Sequence, residues 1–211
     1  MNKLFITAIA ATLIFTACEK VKKAVTSETT TTTESATLTL ENTVSVDRQY
    51  MFTTYGKDYA WFESSITLNN YLDEECDGSI ASITNVFEYV VDKDVSIDPI
   101  VVISTYTKDG KHTIEAGEGM WVGDVILKDE GIKLKYTEAF EKMQQCNLPK
   151  PHSLHCVLRN PLGPKMCNPQ YIFGNTRTQI FVDAVTGECK ATNPAFEGFE
   201  STLKAPLGEW P

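Results

Sequence analysis

The stretch that decides the fold is Pro99-Ile100-Val101-Val102-Ile103-Ser104-Thr105-Tyr106-Thr107-Lys108-Asp109-Gly110-Lys111-His112-Thr113-Ile114-Glu115-Ala116. Ile100 to Ile103 is β-branched throughout and reads as a strand. Lys108-Asp109-Gly110-Lys111 reads as a hairpin turn, because Asp-Gly suits a turn that needs positive φ. His112 to Ala116 then returns antiparallel.

The pattern extends in both directions. Upstream, Ile66 and Leu68 alternate with Ser65, Thr67 and Asn69 within Trp61–Leu72. The polar loop Asp73-Glu74-Glu75-Cys76-Asp77-Gly78 follows. Ile83 to Val91 is rich in Val, Phe, Tyr and Ile. Ile80, Ile83, Phe87 and Val90 also fall at helical spacing, but the β-branched and aromatic content selects a strand. Downstream, Gly117-Glu118-Gly119 is a turn and Met120–Leu127 reads as a further strand. The expectation for residues 47–128 is an antiparallel meander of about five strands.

The last third, residues 129–211, changes character. Thr137 is read as the cap of a helix over Glu138–Gln145, with Ala139, Phe140 and Met143 forming an apolar stripe. Ser153–Arg159, Gln170–Phe173 and Gln179–Ala184 read as strands. Thr186-Gly187-Glu188 is a turn and Cys189 opens a return strand. The expected fold class is therefore α+β, a β-rich meander followed by a helix on an antiparallel sheet.

The N-terminus carries a different message. Residues 1–17 hold Lys3, then an apolar run from Leu4 to Phe15, then Thr16-Ala17-Cys18. A run of about a dozen residues is too short to span a bilayer and has the form of a signal peptide. Phe15-Thr16-Ala17-Cys18 resembles a bacterial lipobox, although Phe15 stands where Leu, Val or Ile is usual. The resemblance implies cleavage before Cys18 and acylation of that residue. Three acyl chains, each buried methylene contributing roughly 0.8 kcal/mol, make a permanent membrane anchor.

Residues 18–46 read as a tether, centred on Thr26-Ser27-Glu28-Thr29-Thr30-Thr31-Thr32-Thr33-Glu34-Ser35. Such a stretch cannot bury enough apolar surface to offset its ordering entropy. As a coil, about 28 residues average roughly 30 Å end to end. Lys20, Lys22 and Lys23 lie beside the anchor, where they could meet lipid head groups.

Thr137-Glu138-Ala139, Tyr171-Ile172-Phe173 and Phe181-Val182-Asp183-Ala184-Val185-Thr186-Gly187-Glu188 together resemble a PepSY-like domain over roughly residues 130–192. Within that motif, Asp183 can accept hydrogen bonds from turn amides and Gly187 can supply positive φ. The resemblance implies a Bacteroidetes-type outer-membrane lipoprotein of the cell envelope, with both the periplasmic and the surface face open. It also implies a non-enzymatic binding or inhibitory module, with an envelope protein or peptide as partner.

Composition narrows the remaining possibilities. The formal net charge is −9. An acidic body repels phosphates, so nucleic acid is excluded as a partner. Besides Cys18, the chain has Cys76, Cys146, Cys156, Cys167 and Cys189. In an exported protein the cluster Cys146, Cys156, Cys167 and Cys189 reads as disulfides of unspecified connectivity, leaving Cys76 free. The alternative is an envelope metal-binding protein, with His152, His155, Cys156 and Cys167 as soft ligands in the segment 146–167. Asp73, Glu74, Glu75 and Asp77 lack calcium-loop spacing. His155 and Cys156 are strand neighbours and should face opposite ways, which argues against a Cys–His nucleophile. No phosphate-cradling loop, Gly-x-Ser-x-Gly elbow or His-Glu-x-x-His occurs, and no cofactor is expected.

Overall fold

A computed structural model describes residues 25–27 (backbone only), 38–55, 59–89, 100–119, 121 and 125–198. The signal peptide, Cys18, Lys20, Lys22, Lys23, the threonine run and Trp210 lie outside the described residues. Two helices, α1 (Leu40–Tyr55) and α2 (Tyr136–Gln145), lie on a sheet. The strands are β1 (Val25–Ser27), β2 (Ala60–Leu68), β3 (Ile80–Tyr89), β4 (Ile100–Thr107), β5 (His112–Glu118), β6 (His155–Arg159), β7 (Gln170–Gly174), β8 (Gln179–Asp183) and β9 (Cys189–Lys190). Every pairing is antiparallel and the order is β1-β5-β4-β3-β2-β6-β7-β8-β9. The α+β class expected from sequence is observed, with one antiparallel sheet and two helices.

The topology contains a repeat that the sequence did not announce. The order α1-β2-β3-β4-β5 recurs as α2-β6-β7-β8-β9, each a helix followed by a four-stranded meander. The halves meet where β2 pairs antiparallel with β6, from Glu63↔Arg159 to Thr67↔His155. Regions 47–128 and 129–211 therefore share one sheet. α1 packs on the second strand of its half, β3, and reaches the third, β4; α2 packs on β7 and β8, the equivalent strands.

Both helices cover the same face. Ser104, Asn85, Ser64, Leu158 and Tyr171 are register partners along one row across β4, β3, β2, β6 and β7. Side chains two residues apart in a strand share a face. Asn85 and Ser104 meet α1, while Phe173, two residues from Tyr171, meets Phe140 of α2 with ring centroids 6.1 Å apart. One core runs beneath both helices, including Met51, Ile66, Phe87, Leu158, Tyr171 and Met143.

The hairpin between β4 and β5 has a three-residue loop, Lys108-Asp109-Gly110. The Thr107 amide donates to the Lys111 carbonyl at 2.9 Å, and the glycine of Asp-Gly carries positive φ, at 83°. In the β8–β9 turn, Asp183 Oδ1 accepts from the Val185 and Thr186 amides at 2.8 and 2.9 Å. Gly187 takes φ 75° there, as the sequence motif anticipates.

Three expectations are corrected. Residues 25–27 pair with β5 as β1 and residues 40–46 are the first half of α1, so neither stretch belongs to the tether expected over 18–46. The buried face of α1 is Leu40, Thr43, Val44, Asp47 and Met51. These positions have helical spacing, but two of the five side chains are polar, so no apolar stripe shows in the sequence. The helix also has β-branched Thr43, Val44, Val46, Thr53 and Thr54, which weakens its propensity.

Secondly, the described part of Met120–Leu127 (Trp121 and residues 125–127) is not a strand. It belongs to the crossover returning from β5 to the central seam. It is held by the Leu127 amide on the Trp61 carbonyl (2.7 Å) and by the Asn160 amide on the Val125 and Ile126 carbonyls.

Thirdly, α2 begins at Tyr136 with Lys135 as its cap residue, two residues earlier than a Thr137 cap. The Glu138 carboxylate accepts from the Lys135 amide at 2.7 Å.

Candidate functional site

Cys146 and Cys189 form a disulfide that ties the end of α2 to β9, with Cα atoms 6.3 Å apart. Cys76 is free, as expected. Cys156 and Cys167 are also free, which corrects their assignment to disulfides. Cys156 points into the helix-covered core and is fully buried between Ile66 and Phe173 in register, whereas Cys167 lies on the loop between β6 and β7. Burial pushes the Cys156 thiol well up.

The proposed soft-ligand set is not brought together. His155 is exposed and faces away from Cys156, as strand alternation requires. His152 stacks on Tyr71 at 4.0 Å and contacts Asp73 through Nδ1 at 3.0 Å. Among the described residues, no three His, Cys, Asp or Glu side chains converge. The acidic loop 73–77 therefore forms no such cluster either.

One concave feature of the described body is a groove of about 620 Å³ along α1, over the seam where the two halves join. Leu40, Val44, Arg48 and Phe52 project from α1. Trp61, Leu158 and Tyr171 come from β2, β6 and β7, while Asp129 and Ile132 come from the turn before α2. Arg48 and Asp129 pair across the groove, and the Arg48 guanidinium lies 5.7 Å from the centre of the Trp61 ring. Asp129 is 64% exposed, so this bridge is a weak, exchangeable one. Tyr171 is fixed by its hydroxyl, which donates to the Leu134 carbonyl at 2.9 Å.

The α1 wall is held by a buried polar network. Asp47, 1% exposed, accepts from Asn85 Nδ2, Ser104 Oγ and the Tyr106 hydroxyl, each at 2.7 Å. Asn85 Nδ2 also donates to Thr43 Oγ1 at 3.1 Å, and its Oδ1 accepts from Ser64 Oγ at 2.6 Å. Ser64 in turn accepts from Trp61 Nε1 at 3.0 Å. A directed chain of hydrogen bonds thus links the groove floor at Trp61 to the carboxylate on α1. Such networks specify one arrangement when every member is satisfied.

The network includes Ser104, His112 and Asp47, which invites comparison with a nucleophile triad. The connectivity differs. Ser104 gives its single proton to Asp47 and lies 2.8 Å from His112 Nε2, so that nitrogen donates to the hydroxyl. A donor cannot act as the general base for the same oxygen. Ser104 is also 1% exposed. This set is a structural latch between α1 and the sheet.

Its electrostatics follow from burial. Desolvation raises the Asp47 carboxyl above its usual range, against the lowering by Tyr106, Asn85, Ser104 and His112. Desolvation lowers the His112 imidazole, opposed by the Asp47 charge 3.7 Å away. The Tyr106 hydroxyl is pushed far up, first by burial and then by that charge.

Sequence reading missed Asp47, Arg48 and Phe52 because α1 was not recognised, and Asp129 because its partner Arg48 lies 81 residues away. One signal was present. Thr39 caps the helix, its hydroxyl accepting from the Asn42 amide at 3.4 Å, but it follows a run of threonines. The chain matches no protein-family model, no curated protein and no solved structure.

Proposed function

We propose that this chain is a lipid-anchored, non-enzymatic binding module of the cell envelope, and that it receives its partner in the seam groove. The observation that carries the reading is the groove itself. It combines apolar side chains, of which Phe52 is the exposed one, with the charged and polar groups Glu41, Ser45, Arg48, Gln49 and Asp129, so that a partner could be held by both kinds of contact. The N-terminal signal segment and Cys18 supply the anchor in this reading, and a PepSY-like C-terminal half supplies the scaffold. That half has the helix-then-meander order and the Asp183 turn on which the resemblance rests.

The groove favours one kind of partner. Glu41 and Asp129 line it against Arg48, on a chain of formal charge −9. Charge complementarity selects an envelope protein or peptide segment that is apolar and carries basic side chains. Exchange of the Arg48–Asp129 pair frees Asp129 for that base at small cost.

The test is photo-crosslinking in intact cells with a photoreactive residue at Gln49, on the groove wall, and at Thr186, on the remote β8–β9 turn. A discrete adduct from position 49, absent from 186 and reduced by Asp129→Lys, supports the reading. Equal capture from both positions, or indifference to Asp129→Lys, refutes the groove as the site. Acyl labelling lost in Cys18→Ala tests the anchor separately.

A further inference from the structure

Both helices cover one face of the sheet, and the strand residues between the covered ones point the other way. On that open face Ser65, Thr84, Thr105 and Thr113 are register partners in one row across β2, β3, β4 and β5. The row beside it holds Thr67, Ser82 and Thr107 on β2, β3 and β4. On β6 the two rows close with Val157 and His155. Four hydroxyls in one row and three in the next make a field without Asp, Glu, Lys or Arg, although 22% of the chain is charged. Each of these hydroxyl residues is partly exposed.

The field has a regular pitch. Residues within a row stand about 4.8 Å apart and the rows about 6.7 Å apart, the spacings of neighbouring strands and of alternate strand residues. Thr84 and Thr105 share a hydrogen bond at 3.0 Å, and the Thr107 hydroxyl is turned to Asp109 and the Lys111 carbonyl. The hydroxyls of Ser65, Thr67, Ser82 and Thr113 bond to no other described residue. Each keeps one donor and two acceptor positions for a group outside the protein.

The chain that continues from β2 extends the field. Asn69 lies two residues beyond Thr67, and its side-chain amide donates to Ser79 Oγ at 2.8 Å. Just past it the exposed rings of Tyr71 and His152 stack with centroids 4.0 Å apart. The Leu72 amide, on the Ser153 carbonyl at 3.0 Å, holds the two segments together. The field therefore ends on an aromatic pair.

These features select the occupant. A charged ligand finds no counter-charge in the two rows. A folded protein partner is usually met by an aromatic and apolar centre, which the rows lack. A flat, rigid lattice is unsuited too, because three strand steps from β2 to β5 turn the rows through roughly 60–75°. A chain of linked neutral sugars fits. Its hydroxyls donate and accept as those of serine and threonine do, it has no charge to desolvate, and it can follow the twist. An aromatic ring offers the apolar surface on which the C–H face of a sugar packs.

We propose that the open face of β2–β5 binds a neutral glycan chain laid along the hydroxyl rows, with one sugar against Tyr71 and His152. This site lies on the face opposite the seam groove and is independent of it.

The test is isothermal titration of the full-length chain with xylohexaose, mannohexaose and maltohexaose, and with the anionic hexagalacturonic acid. At least one neutral hexasaccharide should bind at millimolar concentration or below, and the acidic one should not. Thr67→Val with Thr84→Val removes two hydroxyls and keeps β-branched strand formers, so thermal unfolding should show the fold retained. This double variant should bind about tenfold more weakly or worse. Tyr71→Ala, outside the strands, should weaken binding as well, whereas Thr186→Val on the remote β8–β9 turn should bind as the parent does. Failure of all three neutral hexasaccharides to bind, equal binding of the acidic one, or undiminished binding by the folded double variant and by Tyr71→Ala overturns the proposal.

Discussion

Replacing Asp47 tests the link between the polar network and the placement of α1. Asp47→Ala removes the acceptor for Asn85 Nδ2, Ser104 Oγ and the Tyr106 hydroxyl. Asn85 keeps Thr43 and Ser104 keeps His112, so each loses one bond of two, while the Tyr106 hydroxyl loses its acceptor. At about 1 kcal/mol per lost bond, the variant should lose about 3 kcal/mol of stability. Asp47→Asn keeps the shape and one acceptor oxygen and sheds the desolvated charge, so it should lose only about 1 kcal/mol.

The pH profile gives the sharper readout. The folded Asp47 pKa lies above 3.8, so its stabilising contribution is complete below about 3.8 and is lost as pH rises through the folded value. The folded His112 pKa lies below 6.5, so its contribution is complete above about 6.5. It is lost as pH falls from there through the folded value. Urea midpoints measured from pH 3.5 to 8 should show both limbs in the parent. Asp47→Asn should lack the acidic limb and keep the histidine limb. An Asp47→Ala variant within about 0.5 kcal/mol of the parent, or an unchanged profile in Asp47→Asn, would refute the network as the latch of α1.

Other consequences are equally direct. Cys146 and Cys189 close a loop with a sequence separation of 43, so Cys189→Ser should cost roughly 4 kcal/mol by loop entropy, and a reductant should lower the parent's denaturation midpoint similarly. Thiol titration of the unfolded, unreduced chain should count Cys76, Cys156 and Cys167, while in the native state Cys156 stays silent; rapid native labelling of Cys156 would contradict its burial. Tyr171→Phe removes the bond to the Leu134 carbonyl and should cost about 1 kcal/mol in a urea titration, with no loss of buried apolar area. Phe140→Ala empties the contact between α2 and Phe173 and should cost about 3–5 kcal/mol, read by thermal unfolding.

The amino-acid sequence alone determined those elements whose reason for existing is local. The strands at 60–68, 80–89, 100–107 and 112–118 are legible because β-branched and aromatic residues recur at the period of a pleated strand. The helix at 136–145 is legible because Ala139, Phe140 and Met143 share one face. The Asp183 turn is legible because its hydrogen bonds span only two and three residues. The tertiary structure decided what depends on distant partners. α1 is stabilised by burying Thr43 and Asp47 against Asn85 and Ser104, partners 38 to 57 residues away, so its inward face looks polar until those partners are in place. The pairing of Cys146 with Cys189 follows from β9 lying beside the end of α2, whereas Cys156 is enclosed in the core on β6. The groove exists only because β2 and β6 join two meanders edge to edge, a pairing set by long-range packing and encoded in no contiguous stretch of the chain.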